Sequence, residues 1–172
     1  MSYNAKFRCI NGCEERELNE VVYRCSKCNA LLEVIHDIDE LKKNNADYWK
    51  KLFLERSRTS DYPYNSGVWA KKELVLPTVN DENVVSLFEG NSALIWARRL
   101  GEEIGVPNIW IKQCGTTHTG SFKDLGMTVL VSQVNQMIKD GADIRAVACA
   151  STGDTSAALS AYCAYAGIPC VV

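Results

Sequence analysis

Thr119-Gly120-Ser121-Phe122-Lys123-Asp124 is the stretch of this 172-residue chain in which residue types and spacing best suit covalent chemistry. It falls where a strand-to-helix loop should become a helix. Parallel α/β proteins place ligands at such loops, at the carboxyl ends of strands. A lysine in a first helical turn faces the positive end of the helix dipole, which disfavours a protonated amine. An amine must be neutral to condense with an aldehyde, so the position suits a Schiff-base lysine. Gly120 lets the backbone approach a bulky ring closely. Taken alone, Lys123 also reads as a solvated first-turn side chain, with Asp124 as a helix starter.

Two further groups of residues invite chemistry. Ser151-Thr152-Gly153-Asp154-Thr155 follows an apolar run and opens another helix. Amides and hydroxyls at a helix N-terminus make an anion site, or simply a cap. Cys9, Cys13, Cys25 and Cys28 lie within one 20-residue window, as Cys-x3-Cys, eleven residues, then Cys-x2-Cys. That pattern resembles a zinc ribbon, in which two turns deliver four thiolates to a tetrahedral ion. In a reducing compartment such a cluster points to metal rather than disulfides, and free thiols are the alternative. Cys114, Cys149, Cys163 and Cys170 are scattered in apolar segments and read as small buried hydrophobes. His118 precedes the lysine stretch and reads as a structural loop residue, and His36 closes a strand-like run.

The elements that must position these groups follow from pattern. Residues 1–36 hold the cysteine pairs and strand-like runs at Val21–Arg24 and Leu31–Ile35, and are expected to form a zinc-ribbon-like module. Residues 37–85 are charged and aromatic, with a helix expected over Asp39–Arg56. Pro63, Gly67 and Pro77 then break the pattern, so the region reads as a connection or lid. From residue 86 the chain becomes regular. Asn91-Ser92 should cap a helix to about Gly105, and Ile109–Lys112 is a strand. Thr119 or Ser121 should cap a helix to about Lys139. Ala146–Ala150 is a buried strand, Thr155–Ala166 a helix of small residues, and Cys170–Val172 another strand. Alternating strands and helices predict a parallel α/β sheet with helices on both faces. A strand at Cys170–Val172 needs neighbours, so the sheet is expected to be incomplete and to continue beyond Val172.

Composition bounds the function. Apolar content of 47%, charged content of 23% and a net charge of −2 suit a globular protein and give no basic surplus for nucleic acid. No apolar run reaches the ~20 residues that cross a bilayer, and Met1-Ser2-Tyr3-Asn4 shows no secretion signal, so a cytoplasmic address is expected.

Gly120-Ser121-Phe122-Lys123-Asp124-Leu125-Gly126-Met127 resembles the lysine motif of threonine synthase, a fold-type-II enzyme dependent on pyridoxal phosphate. The likeness runs from Ser86-Leu87-Phe88-Glu89-Gly90-Asn91-Ser92 to Ala150–Ala158. It extends into residues 7–85, notably Ser66-Gly67-Val68-Trp69, which resemble the plant-type group. The resemblance implies that Lys123 holds the cofactor and moves protons, and that Ser151, Thr152 and Thr155 contact the substrate's anionic end. Asp154 takes the place where many relatives have an asparagine on the cofactor's 3′ oxygen. An ionised aspartate cannot donate that bond. The implied substrate is O-phospho-L-homoserine, and a homodimer is implied for the complete protein. Fold-type-II enzymes grip the cofactor phosphate with a glycine-rich loop, and this chain has no Gly-Gly pair and no Gly-x-Gly. Two other readings stay open at this point. One is a non-catalytic zinc-ribbon protein with an α/β interaction domain. The other is a different fold-type-II lyase, such as a threonine or serine dehydratase.

Overall fold

The computed structural model describes residues 3–172. Three antiparallel strands open the chain, β1 (Ala5–Cys9), β2 (Glu15–Glu17) and β3 (Leu32–His36), in the order β2-β1-β3. Phe7 stands opposite Arg16 on one side and Val34 on the other. Val21–Arg24 is not a strand. Val21 and Tyr23 are exposed, and the chain bends there into the turn that carries Cys25.

The helix expected over Asp39–Arg56 is two helices, α1 (Ile38–Leu41) and α2 (Ala46–Arg56). Each has its own cap. Asp37 accepts from the Glu40 amide at 3.0 Å and Asn45 from the Tyr48 amide at 2.9 Å. A side-chain oxygen that satisfies an amide three residues on starts a helix, so Asn45 breaks the run. A short 3₁₀ turn at Trp69–Lys71 and α3 (Lys72–Val75) follow. Trp69, Leu76, Val79 and Val84 then form a buried cluster with Ala5 and Leu18, which fastens the three-stranded sheet to this region.

The second cluster lies around α5 (Asp124–Lys139) and α6 (Asp154–Ala166). Val85, Val131, Leu159, Tyr162, Cys163 and Ile168 are its buried members. The segment before residue 86 runs antiparallel along α5 and is tied to it by polar bonds. Asn80 N donates to Gln136 Oε1 (2.8 Å), Val85 N to Ser132 Oγ (2.8 Å), and Thr128 Oγ1 to the Val85 carbonyl (2.7 Å). Trp69, fully buried, donates its indole N–H to Thr128 Oγ1 at 2.8 Å, which joins the two cores.

The sheet departs from the expected one. β6 (Val147–Ala148) and β7 (Cys170–Val171) pair in parallel, as anticipated. The Ile109–Lys112 strand, observed as β5 (Trp110–Lys112), pairs instead antiparallel with β4 (Leu94–Trp96), in a separate two-stranded sheet. The sequence pattern places residues 94–96 in a helix capped at Asn91-Ser92. Asn91 instead takes φ +48°, a left-handed conformation that does not begin a helix, and Ile95 and Trp96 favour a strand. Trp96 stacks on Trp110 with centroids 6.0 Å apart. The helical part of that stretch is only α4 (Arg98–Ile104), closed by left-handed Gly105. Nor do helices cover both faces of β6–β7 among the described residues. Val147, Cys149 and Cys170 pack toward α5 and α6, while Ala146, Ala148, Ala150 and Val171 are exposed. The Ala146–Ala150 strand is therefore buried on one side only.

One backbone crossing is unusually close. A Cβ added at Gly67 would lie 2.1 Å from the Asn91 amide nitrogen and 2.7 Å from Gly90 carbonyl carbon. Gly90 itself has φ +89°. Gly67→Ala should therefore cost on the order of 3 kcal/mol. Gly126→Ala, inside α5 with no atom within 4 Å of the new methyl, should instead stabilise by roughly 0.5–1 kcal/mol. Denaturant midpoints of the two variants check this, and equal midpoints would refute the crossing.

Candidate active site and cysteine cluster

Residues 117–124 wind into a turn whose polar groups are satisfied from within. Gly120, at φ +78°, donates its N–H to the Thr117 carbonyl at 3.0 Å. Asp124 is fully buried and accepts from Thr119 N (2.8 Å) and Thr119 Oγ1 (2.5 Å). α5 starts at Asp124 with Lys123 in the cap position, so neither Thr119 nor Ser121 caps it. The polarity of the expected cap is reversed, because the first helical residue supplies the acceptor and Thr119 the donors. Lys123 is half-buried at the rim of the turn, its Nζ 4.1 Å from the centroid of the exposed Phe122 ring.

Ser121 links this turn to the second loop. Its Oγ accepts from the Lys123 amide at 3.3 Å and donates to Asp154 Oδ2 at 3.0 Å. The starts of α5 and α6 are thereby held side by side. At α6 the Ser151 Oγ accepts from the Gly153 amide at 3.4 Å, and Ser156 Oγ donates to the Gly153 carbonyl at 2.7 Å. Thr152 and Asp154 are exposed, Ser151 and Thr155 half-buried. Among the described residues, Thr152 and Thr155 have no side-chain hydrogen bond. A Cβ added at Gly120 or Gly153 would meet no atom within 4 Å, so open space lies against both loops. The lysine turn carries a primary amine and the adjoining α6 start carries hydroxyls and first-turn amides, groups of the types that hold an aldehyde and an anion. His118 is exposed beside the turn, and His36 lies in β3 with no partner for its Nε2 among the described residues. An apolar groove of about 1050 Å³ between β1, α5 and β6, lined by Phe7, Val134 and Ala148, does not include Lys123 or the 151–155 loop.

Sequence reasoning passed over Glu89 and Tyr162. Both are buried, and Tyr162 Oη donates to Glu89 Oε2 at 2.7 Å. A signal was available. Glu89 is a lone charge between Leu87-Phe88 and Gly90, in a stretch that must cross the core.

At the other end of the chain, the ligand atoms of Cys9, Cys13, Cys25 and Cys28 all lie within 4.8 Å of one another, with Cys9 and Cys28 sulfurs 3.5 Å apart. Sulfurs bonded at ~2.3 Å to one tetrahedral zinc are ~3.8 Å apart, so the spacing fits that ion. Two similar turns build the cluster. Gly12 N donates to the Cys9 carbonyl (2.8 Å) and Asn29 N to the Cys25 carbonyl (2.9 Å), with Gly12 and Asn29 both left-handed. Glu14 ties the turns together, accepting from Ser26 N and Ser26 Oγ, each at 2.7 Å. Those two bonds hold its carboxyl down at about 2. The Cys28 thiol is drawn down to about 6, chiefly by the Ala30 amide, while contact with Cys28 pushes Cys13 up to about 12. Four crowded thiols resist ionising together, which is the imbalance a cation removes.

Parallel β6–β7, with a lysine turn before α5 and a polar loop before α6, makes an α/β protein whose candidate ligand site lies at its helix starts. The family described as "Pyridoxal-phosphate dependent enzyme" matches residues 85–172, and the chain belongs to it. It is 55% identical over 160 residues to "Threonine synthase 2, chloroplastic" of Arabidopsis thaliana, covering 92% of this chain and 31% of that protein. It is 38% identical over 165 residues to the threonine synthase of Methanocaldococcus jannaschii, covering 96% of this chain and 36% of that protein. The corresponding figures for the Methanosarcina acetivorans enzyme are 40%, 165 residues, 96% and 36%. The chain thus spans about a third of the length of these relatives. No helix among the described residues is long and apolar enough to cross a membrane.

Proposed function

We propose that this chain carries the lysine turn and substrate loop of a threonine synthase, which converts O-phospho-L-homoserine and water to L-threonine and phosphate. The observation that most supports the reading is the Ser121–Asp154 bond, which holds the lysine turn beside the start of α6. The named relatives support it. Bound pyridoxal phosphate would supply an electron sink for negative charge on substrate carbon. Lys123 would hold the cofactor through Nζ and, once released, take and return protons at the substrate's α, β and γ carbons. Ser151, Thr152, Thr155 and the first amides of α6 would bind the substrate's anionic end. Asp154, oriented by Ser121, would stand beside the cofactor ring. Phosphate leaves from the γ carbon and water adds at the β carbon.

Cys9, Cys13, Cys25 and Cys28 would hold one structural zinc ion in a module of residues 1–36. Residues 37–85 would connect it to the first part of the cofactor domain, 86–172. A reducing compartment such as the cytoplasm suits eight cysteines that are all free thiols here.

Two assays on the intact protein test the reading. Added pyridoxal phosphate should give absorbance near the visible edge, and phosphohomoserine should release phosphate while threonine is not deaminated. A colourless protein would leave only the zinc module, and threonine deamination would favour a dehydratase.

A further inference from the structure

Glu89 is 1% exposed, yet four donors converge on its carboxylate. Oε1 accepts from Ser66 Oγ (2.8 Å) and Ser86 Oγ (2.9 Å), and Oε2 from Leu87 N (2.9 Å) and Tyr162 Oη (2.7 Å). No cationic side chain pairs with it among the described residues. An acceptor-only group with two oxygens matches that set of donors, and an amide would not match it fully.

The tie to Tyr162 matters because of what α6 is made of. Its sequence is Asp154-Thr-Ser-Ala-Ala-Leu-Ser-Ala-Tyr-Cys-Ala-Tyr-Ala166, with small residues on every side. α6 buries one face, Ala158, Leu159, Tyr162 and Cys163, and a polar bond made from within that face adds a direction that apolar contact lacks. Two side-chain bonds join α6 to other elements among the described residues, Asp154–Ser121 and Tyr162–Glu89. The first lies at the site itself. The second is buried, ~12 Å further along the axis at 1.5 Å per residue. Burial, and then Glu89 itself, push the Tyr162 phenol well above its ordinary range, with Asp124 adding to the effect. Tyr162 therefore stays a donor, and it sits close to the carboxylate that closes the lysine turn.

We propose that Glu89 is the positioning residue of the site: anchored on Ser66 and Ser86 and bonded to Tyr162, it fixes α6 in rotation and so sets how residues 151–155 meet the substrate's anionic end. This deepens the functional reading above and rests on its assignment of the 151–155 loop.

The test uses Tyr162→Phe, Glu89→Gln and the double variant in the intact protein. Tyr162→Phe removes the tie and keeps the ring. It should raise the KM for phosphohomoserine about tenfold with kcat changed less than about twofold. Glu89→Gln can turn its oxygen to Leu87 and Tyr162 and its NH₂ to the two serine hydroxyls. It should therefore keep KM within about threefold of the parent. The double variant should match Tyr162→Phe alone within about threefold, because Glu89→Gln keeps the serine anchors and the bond it would accept from Tyr162 is already gone. A merely structural role would lower the melting temperature without this KM-against-kcat split. Unchanged KM in Tyr162→Phe, or a double variant whose KM lies more than about threefold from that of Tyr162→Phe alone, would overturn the proposal. If the parent protein does not turn over phosphohomoserine, the functional reading fails separately. The same variants are then read by the inorganic phosphate concentration that half-protects the 151–155 amides from hydrogen exchange. Tyr162→Phe should raise it about tenfold, and an equal value in parent and variant, or no protection in the parent, overturns the proposal.

Discussion

Lys123→Ala in the intact protein should lower phosphohomoserine turnover by about 10⁴-fold or more while the fold survives. The side chain is half-buried at the rim of its turn and makes no hydrogen bond to another described residue, so truncating it costs little packing. On the proposed reading, what is lost is the amine that holds the cofactor beside the starts of α5 and α6. Removing it takes away the covalent hold on the cofactor and the base for substrate protons together. Other lysines are poorly placed for either task. Lys112 donates to the Ser92 carbonyl at 2.5 Å from within β5. Lys139 ends α5, ~24 Å from the turn at 1.5 Å per residue. Borohydride reduction after adding pyridoxal phosphate, followed by peptide mapping, should put the label on Lys123. A label on another lysine, or a Lys123→Ala protein with near-normal turnover, would end the assignment.

The second large effect is expected at the cysteine cluster. Protein purified without chelator should contain about one zinc per chain, and Cys25→Ser should lose it. The three-stranded sheet is small, and of its residues only Ala5 and Cys9 are buried. A bound zinc would therefore supply much of what a core would, and its loss should open residues 10–31 to trypsin, whose sites there include Arg16, Arg24 and Lys27. Elemental analysis and limited proteolysis measure the two outcomes. Less than about a tenth of an equivalent of zinc in the parent would count against an ordinary structural site.

Much of the site was legible in the chain because punctuation residues mark it. The helices expected to end near Lys139 and Ala166 do end there, each followed by a left-handed glycine, and the lysine stretch and the Ser/Thr loop fall at helix starts. The bond between Ser121 and Asp154 was not legible. It depends on two helices lying side by side, which no local pattern encodes. β4 was missed for a different reason. Asn-Ser before a polar and apolar mixture reads as a cap, but only if asparagine adopts an extended backbone, and Asn91 is left-handed. The antiparallel pairing of β5 followed from that error, because its partner had been read as helix. The reach of Glu14 across to Ser26 is likewise visible only in three dimensions.

The crossing at Gly67 and Gly90 also bears on motion. Two backbones in contact cannot slide past one another, so residues 66–68 and 89–91 must travel as one body. Glu89 adds Tyr162 to that body, and with it the lower part of α6. The unit from β4 to β5 stands outside it. Its ties to flanking residues are local, such as the Gln113 amide on the Ala93 carbonyl at 2.9 Å. Relative motion in this half of the chain should therefore come from residues 94–112 swinging against that body, with the connecting segments 92–93 and 113–117 as hinges.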